Sequence, residues 1–259
     1  MLRHRAPEEV ELELTDGLMA AVLDMHVHTL AGSSDSMLDP HELTVVARNN
    51  GLTGVNITEH DKVLELHQRR AFVEAHPECF VNFGMEVSTD LGHMIAIGLN
   101  EYLGGIRRAA RLREELDKVG GFLIVAHPFR RLFDPVTAMR TGVKFEMSPA
   151  EAAENLEVFK IVHGIELANG ANTPRENYFA AEVARILGMP GTGGSDAHST
   201  SGVGVFATGF ERPVTTPEGL LTELHAGRFE TVHRTKGGRW VRFEDGSIEA
   251  ALEDLTAAS

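Results

Sequence analysis

The stretch Ala20-Ala21-Val22-Leu23-Asp24-Met25-His26-Val27-His28-Thr29 joins an apolar run to two histidines at alternate positions. In an extended strand, side chains at positions i and i+2 point to the same face. The stretch therefore predicts a buried strand whose two imidazoles, those of His26 and His28, project together near its end. Because neutral imidazole is the commonest metal ligand in proteins, the pair predicts half of a metal site. The remaining ligands have to come from other parts of the chain.

The composition is that of an ordinary globular protein. Of the 259 residues, 42% are hydrophobic and 24% are charged, which is enough for one large domain or two small ones. The net charge of -14 argues against a stable nucleic-acid partner or an anionic membrane surface. It leaves room for a small phosphorylated substrate, because bound divalent ions reverse the local potential.

Three features predict a cytoplasmic protein. Residues 1–16 are charged and lack the apolar core of a signal peptide. Apolar runs all fall short of the ~20 residues that a membrane helix needs, so we expect no membrane partner. Cys79 is the only cysteine, which excludes an intrachain disulfide and a thiolate zinc cluster. The sequence does not indicate an oligomeric state.

Predicted strands and helices alternate along the chain. After a polar lead-in with one short strand at 10–14, strands are predicted at 20–28, 52–58, 80–87, 94–99, 122–126, 164–167, 189–192 and 203–208. Helices are predicted at 40–51, 64–75, 105–119, 149–159, 174–187, 217–225 and near 248–255, with a β ribbon at 229–243 and an irregular segment from 129 onward. Such alternation predicts parallel strands with right-handed crossovers, in a barrel or an open sheet. In such folds, sites assemble at the C-terminal ends of the strands.

Six histidines share one kind of position. All except His93, which enters a strand, sit at or just past the end of a predicted strand: His26, His28, His60, His127 and His198. Acidic residues accompany them, namely Asp24, Asp35, Asp61, Glu86 and Asp196. One such histidine alone is equally consistent with a hydrogen-bonded structural imidazole, whereas six at one rim favour a metal cluster. Mixed imidazole and carboxylate ligands favour Zn, Mn or Fe. A carboxylate such as Glu86 could bridge two ions ~3.5–4 Å apart.

Seven short motifs resemble those of the PHP family, named for its polymerase and histidinol phosphatase members. In chain order they are Asp24-Met25-His26-Val27-His28-Thr29, Ile57-Thr58-Glu59-His60-Asp61, Gly84-Met85-Glu86-Val87, Gly92-His93, Ala126-His127-Pro128-Phe129, Gly164-Ile165-Glu166 and Gly194-Ser195-Asp196-Ala197-His198. The resemblance implies an α/β fold, a distorted (β/α)7 barrel over residues 1–201. A short C-terminal PHP-associated extension over residues 202–259 would pack on the same domain.

The resemblance also implies two or three divalent metal ions (Zn, Mn or Fe) at the C-terminal rim. The first ion would be held by His26, His28, Glu86 and Asp196, the second by Glu86, His93 and His127 with Glu86 bridging, and the third by Asp35, His60 and His198. Asp24 and Asp61 would orient ligands or handle protons. Asp35 lies in a loop longer than the common family form, so Ser34 or Asp39 stays an alternative. Glu59 replaces the usual aspartate of the second motif.

A cluster of cations without a hydride cofactor favours hydrolysis of phosphate monoesters by a metal-activated hydroxide. Arg130 follows His127-Pro128-Phe129 and is placed to clamp a phosphate bidentately, and Asn169 could contact the substrate. We therefore predict a metal-dependent phosphoric ester hydrolase acting on a small metabolite or nucleotide, with Asp24, Asp61 and Arg130 as its catalytic groups.

Three other functions stay open. The first is a 5'-3' exonuclease acting on short RNA or DNA oligonucleotides, which need few basic contacts. The second is a histidinol-phosphate phosphatase. The third, from a different class, is a non-catalytic regulator that binds metals for structure, which the full set of candidate ligands disfavours.

Overall fold

A single curled sheet organises the fold. The structure, a computed structural model, describes residues 19–142 and 144–243, so the predicted strand at 10–14 and helix near 248–255 lie outside the described residues. Within the described part the strands are β1 Ala21–Val27, β2 Gly54–His60, β3 Phe80–Thr89, β4 Gly92–Ile97, β5 Phe122–Val125, β6 Gly164–Asn169, β7 Gly191–Gly194, β8 Phe206–Phe210, β9 Phe229–Arg234 and β10 Trp240–Arg242. The helices are α1 Pro40–Asn49, α2 Leu66–Ala75, α3 Ala109–Val119, α4 Pro135–Thr141, α5 Pro149–Asn155, α6 Pro174–Leu187 and α7 Pro217–His225.

Strand direction differs from the sequence prediction at β4 and at the C-terminal strands. The order across the sheet is β10-β9-β8-β1-β2-β3-β4-β5-β6-β7. Strands β1 to β3 are parallel, and so are β5 to β7, but β4 runs antiparallel to both its neighbours and β8 antiparallel to β1. The expectation of parallel strands throughout was therefore wrong. Only two residues separate Thr89 from Gly92, whereas a parallel connection needs about a dozen.

The sheet curls until the chain after β7 returns to β1. The amide of Asp196 donates to the carbonyl of His26 at 2.7 Å, and the amide of His28 donates to the carbonyl of Ala197 at 3.0 Å. The observed fold is therefore a mixed α/β half-barrel in the described residues, and the finer (β/α)7 description stays a prediction. The curl brings the end of β1 against the segment that follows β7.

Capping residues begin α1, α6 and α7 as their sequence predicts, whereas α3 starts at Ala109, later than predicted and without a side-chain cap. The Asp39 carboxylate accepts from the amides of His41 and Glu42 at the start of α1, with Pro40 in the first turn. Helix α4 was missed because breakers surround it, although Asp134 caps it in the same manner. Helix α5 is shorter than predicted: it ends at Asn155, and a 3-10 turn follows at Glu157–Lys160.

The C-terminal strands belong to the same sheet as the rest of the described chain. Strand β8 pairs with β1, and β9 and β10 extend the sheet from it. Trp240 on β10 is 2% exposed, and its indole Nε1 donates to the carbonyl of Gly51 at 3.2 Å. The ring therefore ties the last described strand to the loop after α1. The division of the chain at residues 201 and 202 stays a prediction.

Over 19–142 and 144–243, the structure contains no helix whose length and apolar content would let it cross a bilayer.

We expect Trp240→Ala to lower the free energy of unfolding by about 3–5 kcal/mol, because it removes a large buried ring and leaves a cavity. Trp240→Phe keeps most of the apolar contact and should cost less. Tyr178→Ala, at a residue 42% exposed on α6, is the matched control and should change stability by at most about 0.5 kcal/mol. Urea unfolding followed by far-ultraviolet circular dichroism measures all three. A loss for Trp240→Ala no larger than that of the control would contradict the role of this strand.

His163 gives the fold a pH dependence of its own. Its Nδ1 accepts the amide of Leu123 at 2.9 Å. Burial lowers the pKa of His163 to about 4, with Arg113 and His225 adding to the effect and Asp117 opposing it. As the pH falls, His163 is protonated near pH 6.5 in the unfolded chain. In the folded protein it is protonated only near pH 4.

We expect this difference to destabilise the fold as the pH falls from about 6.5 to about 4. His163→Gln supplies an amide oxygen that can accept the same N–H but does not titrate. The unfolding free energy of the wild type minus that of this variant should fall by about 1–2 kcal/mol across the window, after allowance for solvent screening. Urea unfolding at a series of pH values measures it. A difference that stays flat between pH 4 and 6.5 would show that His163 is not the titrating group.

Candidate metal centre

Eight of the nine predicted metal ligands lie at one end of the sheet, and Asp35 joins them from a loop. They come from β1 and the residue after it (His26, His28), from β2, β3 and β4 (His60, Glu86, His93), and from the segments after β5 and β7 (His127, Asp196, His198). The structure thus brings the whole predicted set into one region of the described chain. Their roles as ligands stay predictions.

The centre of this region is the pair predicted from the first strand. His26 Nε2 lies 3.0 Å from His28 Nε2, and both rings are completely buried. A Glu86 oxygen lies 3.5 and 3.3 Å from the two nitrogens, and an Asp196 oxygen lies 3.5 and 3.1 Å from them. Two imidazole nitrogens and two carboxylates therefore surround one point.

The partners of the other ring nitrogens fix the tautomers. His26 Nδ1 lies 2.9 Å from Glu166 Oε1, which can only accept, so Nδ1 carries the proton. His28 Nδ1 lies 3.2 Å from Ser33 Oγ. The Ser33 hydroxyl donates its own hydrogen bond to Glu59 at 2.5 Å. The Ser33 oxygen therefore accepts from His28 Nδ1. We infer that both Nε2 atoms present lone pairs to each other.

This donor set fits a divalent cation. When both imidazoles are neutral, two lone pairs and two carboxylates face one another in a buried space. Such an arrangement is costly unless a positive charge lies at its middle. Imidazole and carboxylate are the ligands that Zn and related transition metals take in proteins.

Glu86 uses both of its oxygens, as a bridging ligand would. Oε1 lies 2.9 Å from His127 Nε2 and 2.9 Å from His93 Nδ1. Oε2 lies 2.9 Å from His60 Nδ1, in addition to its contacts with the central pair. Within the described residues, three groups bring potential ligand atoms within 4.8 Å of one another: His26, Glu86 and His127; His26, His28 and Asp196; and His28, His60 and His198.

Asp35, rather than Asp39, faces the outer histidines. Its Oδ2 lies 3.3 Å from His60 Nε2 and 3.5 Å from His198 Nε2. The carboxylate of Asp39 is engaged at the start of α1. The Asp35 side chain is 58% exposed, so this corner of the cluster is open to solvent while the centre is closed.

The electrostatics show a site that attracts positive charge. Burial favours the neutral form of Glu86, but His26 and the other imidazoles hold its pKa well below the usual range. For Asp196, burial is likewise outweighed by His26, His28 and Arg130, which lower its pKa. Burial alone would lower the pKa of His26, yet the facing carboxylates raise it well above its ordinary value. Protons and metal cations would therefore compete for this centre.

Comparisons with known proteins identify the fold and one segment. A family model described as PHP-associated matches residues 174–229. The chain is similar in structure to PsfC from Pseudomonas syringae PB-5123, with a TM-score of 0.57 and 18% identity over 84% of this chain and 93% of that one. It is also similar to the lesion-specific endonuclease PfuEndoQ from Pyrococcus furiosus, with a TM-score of 0.54 and 17% identity over 82% of this chain and 57% of that one.

A third similar structure is an amidohydrolase from Chromobacterium violaceum with bound sulfate and no metal. Its TM-score is 0.51, with 15% identity over 87% of this chain and 99% of that one. At these identities the structural similarities concern the fold alone. The search of curated proteins found no match. The match over residues 174–229 supports the resemblance to the PHP family that was drawn from the seven motifs.

The Asp24 carboxylate accepts hydrogen bonds from backbone amides rather than from another side chain of the cluster. It is completely buried, and its oxygens accept from the amides of His26, Ser195 and Gly204 at 3.3, 2.8 and 2.9 Å. Burial raises its pKa to about 6, against the effect of these hydrogen bonds. The carboxylate therefore fastens the segment that carries Asp196 to β1.

Asp61 follows the candidate ligand His60 in the chain, and an arginine holds its carboxylate. Its Oδ2 accepts from Arg107 Nη2 at 2.6 Å, and its Oδ1 accepts from the amide of Ser88 at 3.1 Å. The backbone at Asp61, His127 and Asp196 has positive φ values of 49°, 29° and 53°. Non-glycine residues rarely adopt this region, and such strain concentrates at functional sites.

Arg130 lies beside Asp196 at the mouth of the site. Its Nη2 lies 2.5 Å from Asp196 Oδ2 and donates to Asn169 Oδ1 at 2.6 Å, while its Nε donates to Asn172 at 2.9 Å. Asn169 is completely buried, so in this structure it supports Arg130 and does not reach the surface. Arg130 lines an open cleft of about 860 Å³ together with the metal-ligand candidates.

The role of Glu166 was missed from the sequence, although its motif was noted. The carboxylate is 1% exposed on β6 and faces the site. It accepts from the amide of His127 at 2.7 Å and from Asn169 Nδ2 at 3.0 Å, besides orienting His26. An acidic residue within a buried strand is the signal that could have revealed it, because buried carboxylates need partners.

We expect Glu86→Ala to lose bound metal, because this carboxylate faces five histidines and its removal takes away a shared ligand. Metal per protein, measured by inductively coupled plasma mass spectrometry after dialysis, should fall by at least one equivalent from its wild-type value. Glu154→Ala, at an exposed residue of α5, is the matched control and should keep the wild-type content. Full metal content in Glu86→Ala would remove Glu86 from the ligand set.

Proposed function

We propose that the protein is a metal-dependent phosphoesterase that hydrolyses phosphate monoesters of a small metabolite or nucleotide. The observation that carries the proposal is the buried cluster of imidazoles and carboxylates around Glu86, with a held arginine at its mouth. Metal-dependent hydrolases use such clusters, and an arginine fork matches the oxygens of a phosphate. We also propose the finer (β/α)7 description of the fold, and two or three ions of Zn, Mn or Fe.

In the proposed reaction, the oxygen of water forms a bond to phosphorus and the ester P–O bond breaks. One proton of the water passes to the leaving alcohol, and the products are inorganic phosphate and that alcohol. Divalent ions, when bound, would activate the water and offset the charge that develops on the phosphate. His26, His28, Glu86 and Asp196 would hold the central ion, with His93 and His127 or Asp35, His60 and His198 holding the others.

The protein's own groups then have distinct tasks. Arg130 is held at three points by Asp196, Asn169 and Asn172, so its guanidinium meets a phosphate with little loss of freedom. Glu166 and the Ser33–Glu59 pair keep His26 and His28 in the tautomers that bind a metal. Asp61, at the rim, is the carboxylate that we assign to handling the proton of the leaving alcohol. Asp24 holds the segment that carries Asp196.

An exonuclease is the second candidate, since one structural relative is an endonuclease. The net charge of -14 disfavours it, because nucleic-acid binding depends on cationic contacts with phosphates. Amide hydrolysis is a further possibility, because another structural relative is an amidohydrolase. An arginine beside the cluster favours a phosphate ester over an amide, because an amide carries no anionic group for the guanidinium to bind.

We expect metal-loaded protein to release inorganic phosphate from at least one monoester in a panel of nucleotides, nucleoside bisphosphates, sugar phosphates, histidinol phosphate and RNA trimers. Removal of metal with a chelator should abolish the release. Arg130→Lys keeps the charge but loses the fork, and should lower kcat/KM by about 10- to 1000-fold. Arg140→Lys, on the exposed side of α4, is the matched control and should stay within twofold of wild type, ~0.4 kcal/mol.

Two results would contradict this function. Sequential release of 5'-mononucleotides from the trimers, with no activity on monoesters, would favour the exonuclease. Fully loaded protein that turns over no member of the panel would favour a structural role for the metals.

A further inference from the structure

Part of the lining of the cleft next to the metal centre is apolar. Candidate ligands and Arg130 form its polar part. The residues of this apolar wall are Leu91, Leu132, Phe145, Met147, Leu156 and Val158. They come from the β3–β4 turn, the loop after β5 and the segment around α5, so three parts of the chain contribute to one surface.

The cleft is larger than a phosphate requires. Its volume of about 860 Å³ lies in the range of pockets that bury a whole small molecule, ~300–1,000 Å³. A phosphate held at the metal centre and Arg130 fills only the polar side. The rest of the substrate, which is the leaving group, must therefore lie against the apolar wall.

Phe145 is fixed in place by other aromatic rings. Its ring centroid lies 5.5 Å from that of Phe133, 5.6 Å from that of Phe179 and 6.1 Å from that of Phe129. The first two contacts are edge-to-face, a favourable geometry for aromatic pairs. A ring held this firmly offers a preformed surface, which lowers the entropy cost of binding a ligand.

Met147 and Leu132 leave apolar area exposed to water at the cleft. Met147 is 39% exposed and Leu132 is 37% exposed. Covering such area with an apolar ligand is favourable by about 25 cal/mol per Å². A thioether also makes favourable contacts with aromatic rings. The surface is therefore suited to an apolar group, and to a ring above all.

Charges on this side of the cleft give no preference for an ionic leaving group. Beyond Arg130 and the candidate ligands, the charged residues that line the cleft in the described chain are Arg131 and Glu157. Their charges are opposite, so a second anionic group or an amine would meet one attractive and one repulsive partner.

We propose that the substrate carries an apolar, ring-bearing leaving group, which packs against Phe145 and Met147 while its phosphate lies at the metal centre. This inference rests on the proposed phosphoesterase function and names its substrate class. The ring could be that of an aryl alcohol ester or the base of a nucleotide, and the same surface would bind either. Sugar phosphates and amino-alcohol phosphates would leave the wall uncovered.

The test compares ligands that share one phosphorus group. Calorimetry on metal-loaded protein should show that benzylphosphonate, which cannot be hydrolysed, binds about tenfold tighter than 2-hydroxyethylphosphonate. The ratio of kcat/KM for benzyl phosphate over glycerol 3-phosphate, both esters of primary alcohols, should also be about ten. Adenosine 5'-monophosphate compared with ribose 5-phosphate separates the nucleotide source of the ring from the aryl source.

Substitutions in the apolar wall should change these ratios, while the protein should still bind the phosphonates and hydrolyse the phosphate esters that lack a ring. Met147→Ser should lower both benzyl preferences about three- to fivefold and leave the values for 2-hydroxyethylphosphonate and glycerol 3-phosphate within twofold. Phe145→Ala should lower them further, and Met147→Ser keeps the test usable if the aromatic cluster does not tolerate that change. Met139→Ser, at a residue 81% exposed on α4, is the matched control and should leave every ratio unchanged.

The outcomes separate this inference from the function on which it rests. Hydrolysis of monoesters without any preference for a ring would contradict the proposed role of the apolar wall, whereas the proposed phosphoesterase function would be retained. Preferential binding of benzylphosphonate without hydrolysis of any ester would support the wall and overturn the phosphoesterase. Absence of binding by both phosphonates, or a preference that Met147→Ser does not change, would also overturn the wall.

Discussion

The facing of two imidazole lone pairs at the centre of the cluster is the constraint on which the rest of the site depends. His26 and His28 can present these lone pairs only because their other nitrogens donate to Glu166 and Ser33. Buried carboxylates are costly, and Glu86, Glu166 and Asp196 each contact an imidazole of the cluster. The polar groups around His26 and His28 thus form one connected network. A cation bound at its middle would contact Glu86, Asp196 and the two rings together.

The departures from a parallel sheet are what complete this network. A crossover connection after β3 would have placed the next strand parallel to β3. The tight turn before Gly92 instead makes β4 run antiparallel along β3. In the register of this hairpin, Ser88 lies opposite His93 and Glu86 opposite Ile95. His93 is therefore the diagonal neighbour of Glu86, and its Nδ1 reaches the carboxylate at 2.9 Å. In the same way, Asp24 ties the segment after β7 to β1 and so brings Asp196 to the centre.

The sequence predicted the local features of the fold and the identity of the clustered residues better than their connections. Histidines at strand ends and capping residues at helix starts are local signals, because each can be recognised from a few neighbouring residues of the sequence. The direction of β4 depended on counting the residues of a turn, and the choice of Asp35 over Asp39 depended on seeing that Asp39 caps a helix. The burial of Asn169 and the contacts of Glu166 depend on how the sheet curls. No local pattern records that curl, because it follows from packing across the whole domain.

The charges at the centre of the cluster affect how Arg130, at the mouth of the cleft, can bind an anion. The protein is acidic overall, and Glu86 and Asp196 lie within the site, so without bound cations an approaching phosphate would meet repulsion. Arg130 offsets little of this, because its guanidinium is already paired with Asp196. Cations at the centre would share the Asp196 charge, so that more of the guanidinium charge of Arg130 would act on an approaching anion. The affinity of the site for an anionic ligand is therefore set by the same carboxylates that hold the metal, and binding of the two should be coupled.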